Sequence, residues 1–500
     1  MTPAEQNARI SLEHSSASRS PLLEVRDLRV EFEGTGGLIA PVESVSFDVG
    51  RGERVAIVGE SGSGKSVTAM AILGLTEFTG GSVNPKSSIR FDGREVLLMN
   101  ETERRGIRGG GIAMIFQDPL TSLNPLHSVG AQVAEAVRLH NPGVSTSAAA
   151  ARSRELFELV QLPRAATLTR SHPHELSGGM RQRVMIAMAL AGNPKLLLAD
   201  EPTTALDVTV QAGILDLLRD IGEERDLSVL MITHDLSVVA GFADRILVMY
   251  GGRIVEEGLT EPIFRKPHHP YTHALLGSIP RLDEEPERLI AIEGSPPEPG
   301  HRPSGCAFRT RCPYEIDACA EVIPALTLTD SGAAACIRSA DIDLSSRRPA
   351  QRPPLALRAQ EKTSARIILE VRGLSKQYRV RSQTGRRETV NALSGVSFAL
   401  EEGASLGIIG QSGSGKSTLA RCLGALTSPT SGRIIAAGED IVGANRRTLK
   451  SYRRQMQMVF QDPSSSLDQR MRVRDILAEP LRIHGVWRDD PKKSEAQLRS

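Results

Sequence analysis

Cysteine is missing from the first 305 of the 500 residues, so no disulfide is available there. No apolar run of 18 or more residues occurs either, which excludes a membrane-crossing helix. The first twenty residues are polar and Ser-rich, without the apolar stretch of a signal peptide, and read as a disordered tail on a cytoplasmic protein. Nor is there an excess of one charge. Lysine and arginine number 61 against 59 acids, a net charge of +2, and a chain so balanced lacks the basic field that draws nucleic acid. What is present is length: at roughly 150 residues per domain the chain suffices for about three folded units.

The chain repeats itself. Leu23-Glu24-Val25-Arg26 returns as Leu369-Glu370-Val371-Arg372, Val45-Ser46-Phe47 as Val396-Ser397-Phe398, and Gln117-Asp118-Pro119 as Gln461-Asp462-Pro463, in the same order and at nearly constant offset. One ancestral domain therefore occurs twice. The boundaries expected are a tail over 1–20, a first domain over 21–258, an extension over 259–345, a linker rich in Arg, Pro, Gln and Ala over 346–365, and a second domain over 366–500. Unbroken apolar runs such as Val55-Ala56-Ile57-Val58 and Leu196-Leu197-Leu198-Ala199 predict parallel strands covered by helices on both faces, an α/β core in each copy.

Gly59, Glu60, Ser61, Gly62, Ser63, Gly64, Lys65 and Ser66 follow the first of these runs and lead into a helix-like segment, the context of a Walker A loop. Glycines let backbone N–H groups turn inward around phosphate oxygens, and the helix beyond adds its partial positive charge. Lys65 is expected on the β- and γ-phosphates of ATP and the Ser66 hydroxyl on Mg²⁺. Gly410, Gln411, Ser412, Gly413, Ser414, Gly415, Lys416 and Ser417 repeat the pattern, with Ser417 as the second metal ligand. A ligand-free glycine turn is the plain alternative, and two matches in register weigh against it.

Further motifs come after the first loop. The Leu196–Ala199 strand ends in Asp200 and Glu201, where Asp200 would hold Mg²⁺ and Glu201 would orient or deprotonate the attacking water. Ser177, Gly178 and Gly179 open a helix whose start suits an anion, where a merely capped helix is the alternative. Thr204-Ala205-Leu206-Asp207 comes after the carboxylates, and His234 succeeds the apolar run Val229–Ile232.

Together these residues resemble the ATP-binding cassette, or ABC, family. Leu176-Ser177-Gly178-Gly179-Met180 is similar to its signature, with Met180 where the family most often has Gln. The resemblance implies that Ser177, Gly178 and Gly179 meet the γ-phosphate held by an opposing domain, that Thr204–Asp207 is the D-loop, and that His234 contacts the γ-phosphate. Gln117, and Gln461 in the second copy, would be Q-loop glutamines sensing Mg²⁺ and water. Phe32 and Tyr378 could stack on adenine, or be buried strand aromatics. By the repeat offset, a second signature, catalytic glutamate and switch histidine would fall beyond residue 500, so neither composite site is complete as written. The charged helical stretch Pro491–Ser500 reads as a truncation point.

Gln117–Pro125, Leu176–Met188 and His269-Pro270-Tyr271-Thr272 narrow the resemblance to the ATPases of dipeptide and oligopeptide importers, with nickel and glutathione relatives. Such a chain would sit at the cytoplasmic face of the membrane, bound to two permease subunits served by an external peptide-binding protein. A non-transport ABC ATPase acting on DNA or ribosomes is the alternative. Cys306, Cys312, Cys319 and Cys336 lie between the two copies, with five, six and sixteen residues between successive members, and resemble the iron–sulfur segment of peptide-importer ATPases. Four thiolates suit a four-iron, four-sulfur cluster, zinc would satisfy the same count, and unliganded or disulfide-forming cysteines are the remaining reading. That segment is Pro-rich and short, so a metal would supply fold energy its own core lacks. Cys422 reads as a packed core residue.

Overall fold

The computed structural model describes residues 21–34, 37–118, 122–204, 206–279, 292–344, 366–381, 387–411, 413–460 and 466–485. The tail at 1–20, the linker at 346–365, Pro119, Ala205, Ser412, Gln461 and the stretch Pro491–Ser500 lie outside the described residues. The chain forms two units, Met1–Leu357 and Arg358–Ser500.

The first unit opens with long strands, β1 (Leu23–Gly34) and β2 (Gly37–Val49), paired antiparallel from Leu23↔Val49 to Gly34↔Gly37. The apolar run Arg54–Val58 is β3, and three short strands come next, β4 (Gly81–Val83), β5 (Ser88–Phe91) and β6 (Arg94–Glu95). They complete a five-stranded sheet in the order β2-β1-β5-β6, with β4 on β1. β7 (Ile112–Ile115), β8 (Leu196–Asp200), β9 (Ser228–Thr233) and β10 (Arg245–Tyr250) join β3 in the parallel part of a second sheet, in the order β10-β3-β9-β8-β7.

Strand periodicity explains how one apolar run serves two cores. Val55 and Ile57 face the antiparallel sheet, packing with Val25, Val45 and Ile72, while Ala56 and Val58 face the helical layer, packing with Val184, Ile214 and Leu217. β8 divides likewise, Leu196 and Leu198 to one side, Leu197 and Ala199 to the other. Such strands must be apolar throughout because neither face meets water.

The helices of eight or more residues in this unit are α1 (Lys65–Ile72), α2 (Val129–His140), α3 (Thr146–Leu159), α4 (Gly178–Ala189), α5 (Val208–Arg225) and α6 (Pro270–Gly277). Ser128, Ser145, Ser177 and Asp207 cap α2, α3, α4 and α5, each accepting a hydrogen bond from the third residue on. Short polar caps thus set where the helices begin. Among the described residues no helix is long and apolar enough to cross a membrane.

The extension is not a separate layer. β11 (Arg253–Leu259) pairs with β10, β13 (Gly332–Ala334) pairs with β11 through Glu256↔Ala334, and β12 (Thr327–Leu328) completes the eight-stranded sheet. Tyr271 of α6 and Phe308 are buried in the same core as α2 to α5. The segment expected to lean on a metal for its stability therefore draws part of it from the first copy's own sheet and core.

In the second unit β14 (Ile367–Arg381), β15 (Arg387–Glu401), β16 (Ser431–Ala436) and β17 (Glu439–Asp440) form an antiparallel sheet ordered β15-β14-β16-β17, and α7 (Lys416–Leu423) packs on it. Cys422 is buried there, as expected. The parallel α/β core expected in both copies is found, among the described residues, in the first unit alone. Leu406, Ile408 and Ile409, counterparts of β3, are exposed, Ile409 to 96%. In the first copy β3 lies between β9 and β10.

Candidate functional site

The parallel strands run the same way, so the loops leaving their carboxyl ends gather along one edge, where open α/β sheets receive ligands. β3 leads into Gly59, β7 towards Gln117, β8 ends on Asp200, and β9 leads to His234.

Two glycines shape the first loop. Gly59 has φ +155°, and a Cβ there would lie 2.1 Å from the Met249 carbonyl oxygen of β10. Gly64, at φ +101°, precedes α1, and its Cβ would lie 2.6 Å from the Pro41 carbonyl oxygen. No side chain fits at either point, and both lie in a region that L-residues rarely adopt. The buried Lys65 ammonium donates to the carbonyls of Gly59 (2.7 Å) and Glu60 (2.8 Å) and to Ser63 Oγ (3.4 Å). Burial lowers its pKa, and Glu201, Asp200 and Glu60 oppose the shift. Ser61 and Gly62 are exposed on the outer side of the loop.

Ser66 Oγ donates to Asp200 Oδ1 at 3.1 Å, joining the end of β8 to the start of α1. Burial raises the Asp200 pKa, and the Glu201 carboxylate adds to this against Ser66 and Lys65. Glu201 turns away with φ +47° and is gripped by three groups. Gln117 Nε2 donates to Oε2 at 2.8 Å, Thr204 Oγ1 donates to the same oxygen at 2.9 Å, and His234 Nδ1 lies 3.0 Å from Oε1. Burial works against the Glu201 charge, yet His234, Thr204 and Lys65 outweigh it and hold the carboxyl below its ordinary range. Adjacent carboxylates thus carry opposite shifts: Asp200 leans on a serine of the phosphate loop, and Glu201 is an ionised acceptor able to take a proton. The sequence motifs bring together Lys65, Ser66, Gln117, Asp200, Glu201 and His234. Thr204 is a third hold on Glu201 that its place in a loop motif did not reveal.

Ser177 caps α4 by accepting from the Met180 N–H at 3.3 Å and is itself exposed. Gly179 faces α5 so closely that a Cβ would lie 2.4 Å from Val210 Cγ1. Phe32 lies in β1 with its ring over Gly81 of β4, part of the antiparallel sheet's packing. Tyr378 lies in β14, its ring centroid 5.1 Å from Lys376 Nζ.

The second loop takes the conformation of the first although, among the described residues, no parallel sheet lies beneath it. Gly410, Gly413 and Gly415 have φ +159°, +81° and +97°, and Lys416 Nζ donates to the carbonyls of Gly410 (2.5 Å) and Gln411 (2.8 Å) and to Ser414 Oγ (3.4 Å). Loop shape is therefore local, and Ser417 stands on α7 as Ser66 does on α1.

Cys306, Cys312, Cys319 and Cys336 line one cavity with Phe308, Arg309 and Arg338. Burial pushes the Cys306 and Cys336 thiols up and Cys312 up to about 12. Among the described residues, however, no three or more His, Cys, Asp or Glu side chains form a group that could hold a metal ion, so the expected metal site is not present in that form. The thiols surround a common space.

A contact no spacing announced joins this extension to the phosphate loop. Arg311 Nη1 and Nη2 donate to Glu60 Oε2 (2.6 Å) and Oε1 (3.0 Å), and the Glu60 N–H donates to Tyr271 Oη at 2.8 Å.

A family model described as ABC transporter matches residues 42–204 and 393–499, and one described as Oligopeptide/dipeptide transporter, C-terminal region, matches 255–319. Oligopeptide transport ATP-binding protein OppD of Mycobacterium tuberculosis is 44% identical over 485 residues, covering 96% of this chain and 79% of that protein. Glutathione import ATP-binding protein GsiA of Escherichia coli K12 is 41% identical over 474 residues, covering 93% and 68%. The repeated phosphate loops, the carboxylate pair and the matched C-terminal region lead to one placement: the chain belongs to the ABC transporter family and is one of its ATPases.

Proposed function

We propose that this ATPase powers the import of di- or oligopeptides across the cytoplasmic membrane, working beneath two permease subunits supplied by an external peptide-binding protein. The observation that carries the chemistry is the Glu201 carboxylate, ionised and held by Gln117, Thr204 and His234 beside the Lys65 loop. The similarity to an oligopeptide transport protein and the match to the oligopeptide/dipeptide C-terminal region support the peptide class. Glutathione, itself a short peptide, is the neighbouring reading, since a glutathione import protein is nearly as similar.

In this reading Lys65 neutralises the β- and γ-phosphates, and Ser66, Asp200 and Gln117 hold Mg²⁺. Glu201 draws the proton from the attacking water and His234 donates to the γ-phosphate. Ser177, Gly178 and Gly179 present an exposed helix start to the triphosphate of a partnering cassette. Lys416, Ser417 and Gln461 play the corresponding binding roles for a second nucleotide. Phe32 and Tyr378 are proposed at the adenine end. The boundaries 21–258, 259–345 and 366–500 are proposed as first cassette, extension and second cassette.

The four cysteines are proposed to hold an iron–sulfur cluster, with zinc as the alternative, since four thiols line one cavity and either group takes four thiolates. Arg309 and Arg338 offset the charge such thiolates carry, and burial this deep favours them only with a cation between. Reconstitution in vesicles with the permeases tests the function: addition of binding protein loaded with a short peptide should raise ATP hydrolysis and drive peptide uptake, and hydrolysis indifferent to every peptide would reject the peptide reading. Iron and sulfide in the anaerobically purified protein are expected; stoichiometric zinc without iron would reject the cluster.

A further inference from the structure

Glu60 poses an electrostatic problem. A carboxylate inside a loop that receives a triphosphate repels its ligand, and the second copy carries the neutral Gln411 at that place. The first copy resolves it from a distance of 251 residues. Arg311, its side chain only 4% exposed, sits on the turn Arg309–Arg311 that leads into Cys312. Its guanidinium meets the Glu60 carboxylate with both Nη atoms, the paired geometry in which arginine binds carboxylates best.

The arginine is itself built in. Nε donates to the Glu293 carbonyl at 2.8 Å, Nη2 to the Ile292 carbonyl at 3.3 Å, and Nη1 to Tyr250 Oη at 3.2 Å. The guanidinium carbon lies 5.8 Å from the Tyr250 ring centroid and 6.0 Å from that of Phe308. Those rings pack with Tyr271, at 4.5 Å from Tyr250 and 5.4 Å from Phe308, and Tyr271 Oη takes the Glu60 N–H. Side chain and backbone of one loop residue are thus both held by the extension.

We propose that Arg311 is a positioning residue for nucleotide binding: by pairing with Glu60 it masks a repulsive charge and restrains the phosphate loop, so that the cysteine-bearing extension sets the first copy's affinity for ATP. This rests on reading Gly59–Ser66 as the ATP loop. Restraint differs from formation. The Gln411 loop reaches the same shape with a neutral side chain, so the clamp is not needed to build the loop; it removes freedom that binding would otherwise have to freeze. Masking matters more, because removing the buried Arg311 leaves the half-buried Glu60 carboxylate without its countercharge beside the loop.

The two partners should therefore behave unequally. Arg311→Ala leaves Glu60 unmasked, Glu60→Gln removes the repulsion with the carboxylate, and the double variant removes both. The test measures Mg-ATP affinity of the full chain in a Lys416→Ala background, which silences the second loop. Arg311→Ala should weaken ATP binding about tenfold, the size of an ordinary coupling between sites. Adding Glu60→Gln should restore most of that loss, and Arg311→Lys should fall between. Unfolding temperatures without nucleotide identify any variant that fails to fold, in which case the comparison of Arg311→Lys with its Glu60→Gln double decides. Unchanged affinity in Arg311→Ala, or no recovery in the double variant, overturns the proposal. Retention of ATP by Lys65→Ala in the same background would instead overturn the loop assignment.

Discussion

Alanine at each glycine of the first phosphate loop should reveal how far the site depends on backbone that only glycine permits. At Gly62 the φ is +80°, but nothing lies within 4 Å of the new Cβ, so the cost is that of the left-handed conformation alone, roughly 1–2 kcal/mol. At Gly59 the Cβ must enter space 2.1 Å from the Met249 carbonyl oxygen. Met249 is fully buried in β10, between β3 and β11, and cannot retreat without breaking a ladder. Backbone strain of about 1–3 kcal/mol is then joined by a clash that displaces the loop. Gly64, 2.6 Å from the Pro41 carbonyl oxygen, belongs with Gly59. Thermal unfolding with and without Mg-ATP measures both consequences, since saturating nucleotide at a hundred times its dissociation constant stabilises by about 2.7 kcal/mol. In a Lys416→Ala background, which silences the second loop, Gly62→Ala should keep that nucleotide-dependent shift, whereas Gly59→Ala and Gly64→Ala should lose it. A Gly62→Ala variant as damaged as Gly59→Ala would refute the reasoning, because of the two only at Gly59 does the Cβ meet a buried backbone carbonyl.

Packing and charge give three further expected outcomes. Leu198→Ala, in the middle of β8 and fully buried, should cost about 2–5 kcal/mol in chemical denaturation, and a loss under 1 kcal/mol would contradict the packing. Ser177→Ala removes the α4 cap and should cost about 1 kcal/mol, read as a lower unfolding midpoint; an unaltered midpoint would show that the hydroxyl is free in solution. Burial lowers the His269 pKa to about 3, so from the ordinary histidine value downward the unfolded chain takes a proton that the folded one refuses. Stability contributed by the neutral imidazole is complete above that value and falls as pH drops towards 3, by roughly 2 kcal/mol at pH 5. His269 caps α6 by accepting from the Tyr271 N–H at 3.1 Å, so His269→Asn keeps a cap and should flatten the acid limb of a stability–pH profile; an unchanged limb would place the titration elsewhere.

What spacing and local chemistry determine was legible in the sequence. The loop at Gly59–Ser66 is local, and its twin at Gly410–Ser417 adopts the same hydrogen bonds even where Ile409 lies open to water. The buried strands β3 and β8 were legible because strands covered on both faces are unbroken apolar runs. Partners distant in sequence were not. Gly332–Ala334 is three small residues with no strand pattern, and only its position against β11 makes it one. Arg311 stands next to Cys312 in the chain, yet nothing near it announces Glu60. The cysteine spacing suggested a shared ligand but not that Phe308 and the β11–β13 pairing would tie the segment into the first copy's core and sheet.

In the proposed reaction Glu201, the residue just past the end of β8, draws the proton from the attacking water. Glu201→Gln keeps the oxygen that accepts from Gln117 and Thr204 and removes the charge that takes the proton. Single-turnover hydrolysis of Mg-ATP by this variant, in a Lys416→Ala background and with binding measured in parallel, should fall by about a hundredfold or more at undiminished affinity. Hydrolysis at the parent rate with ATP still bound would contradict that role for Glu201.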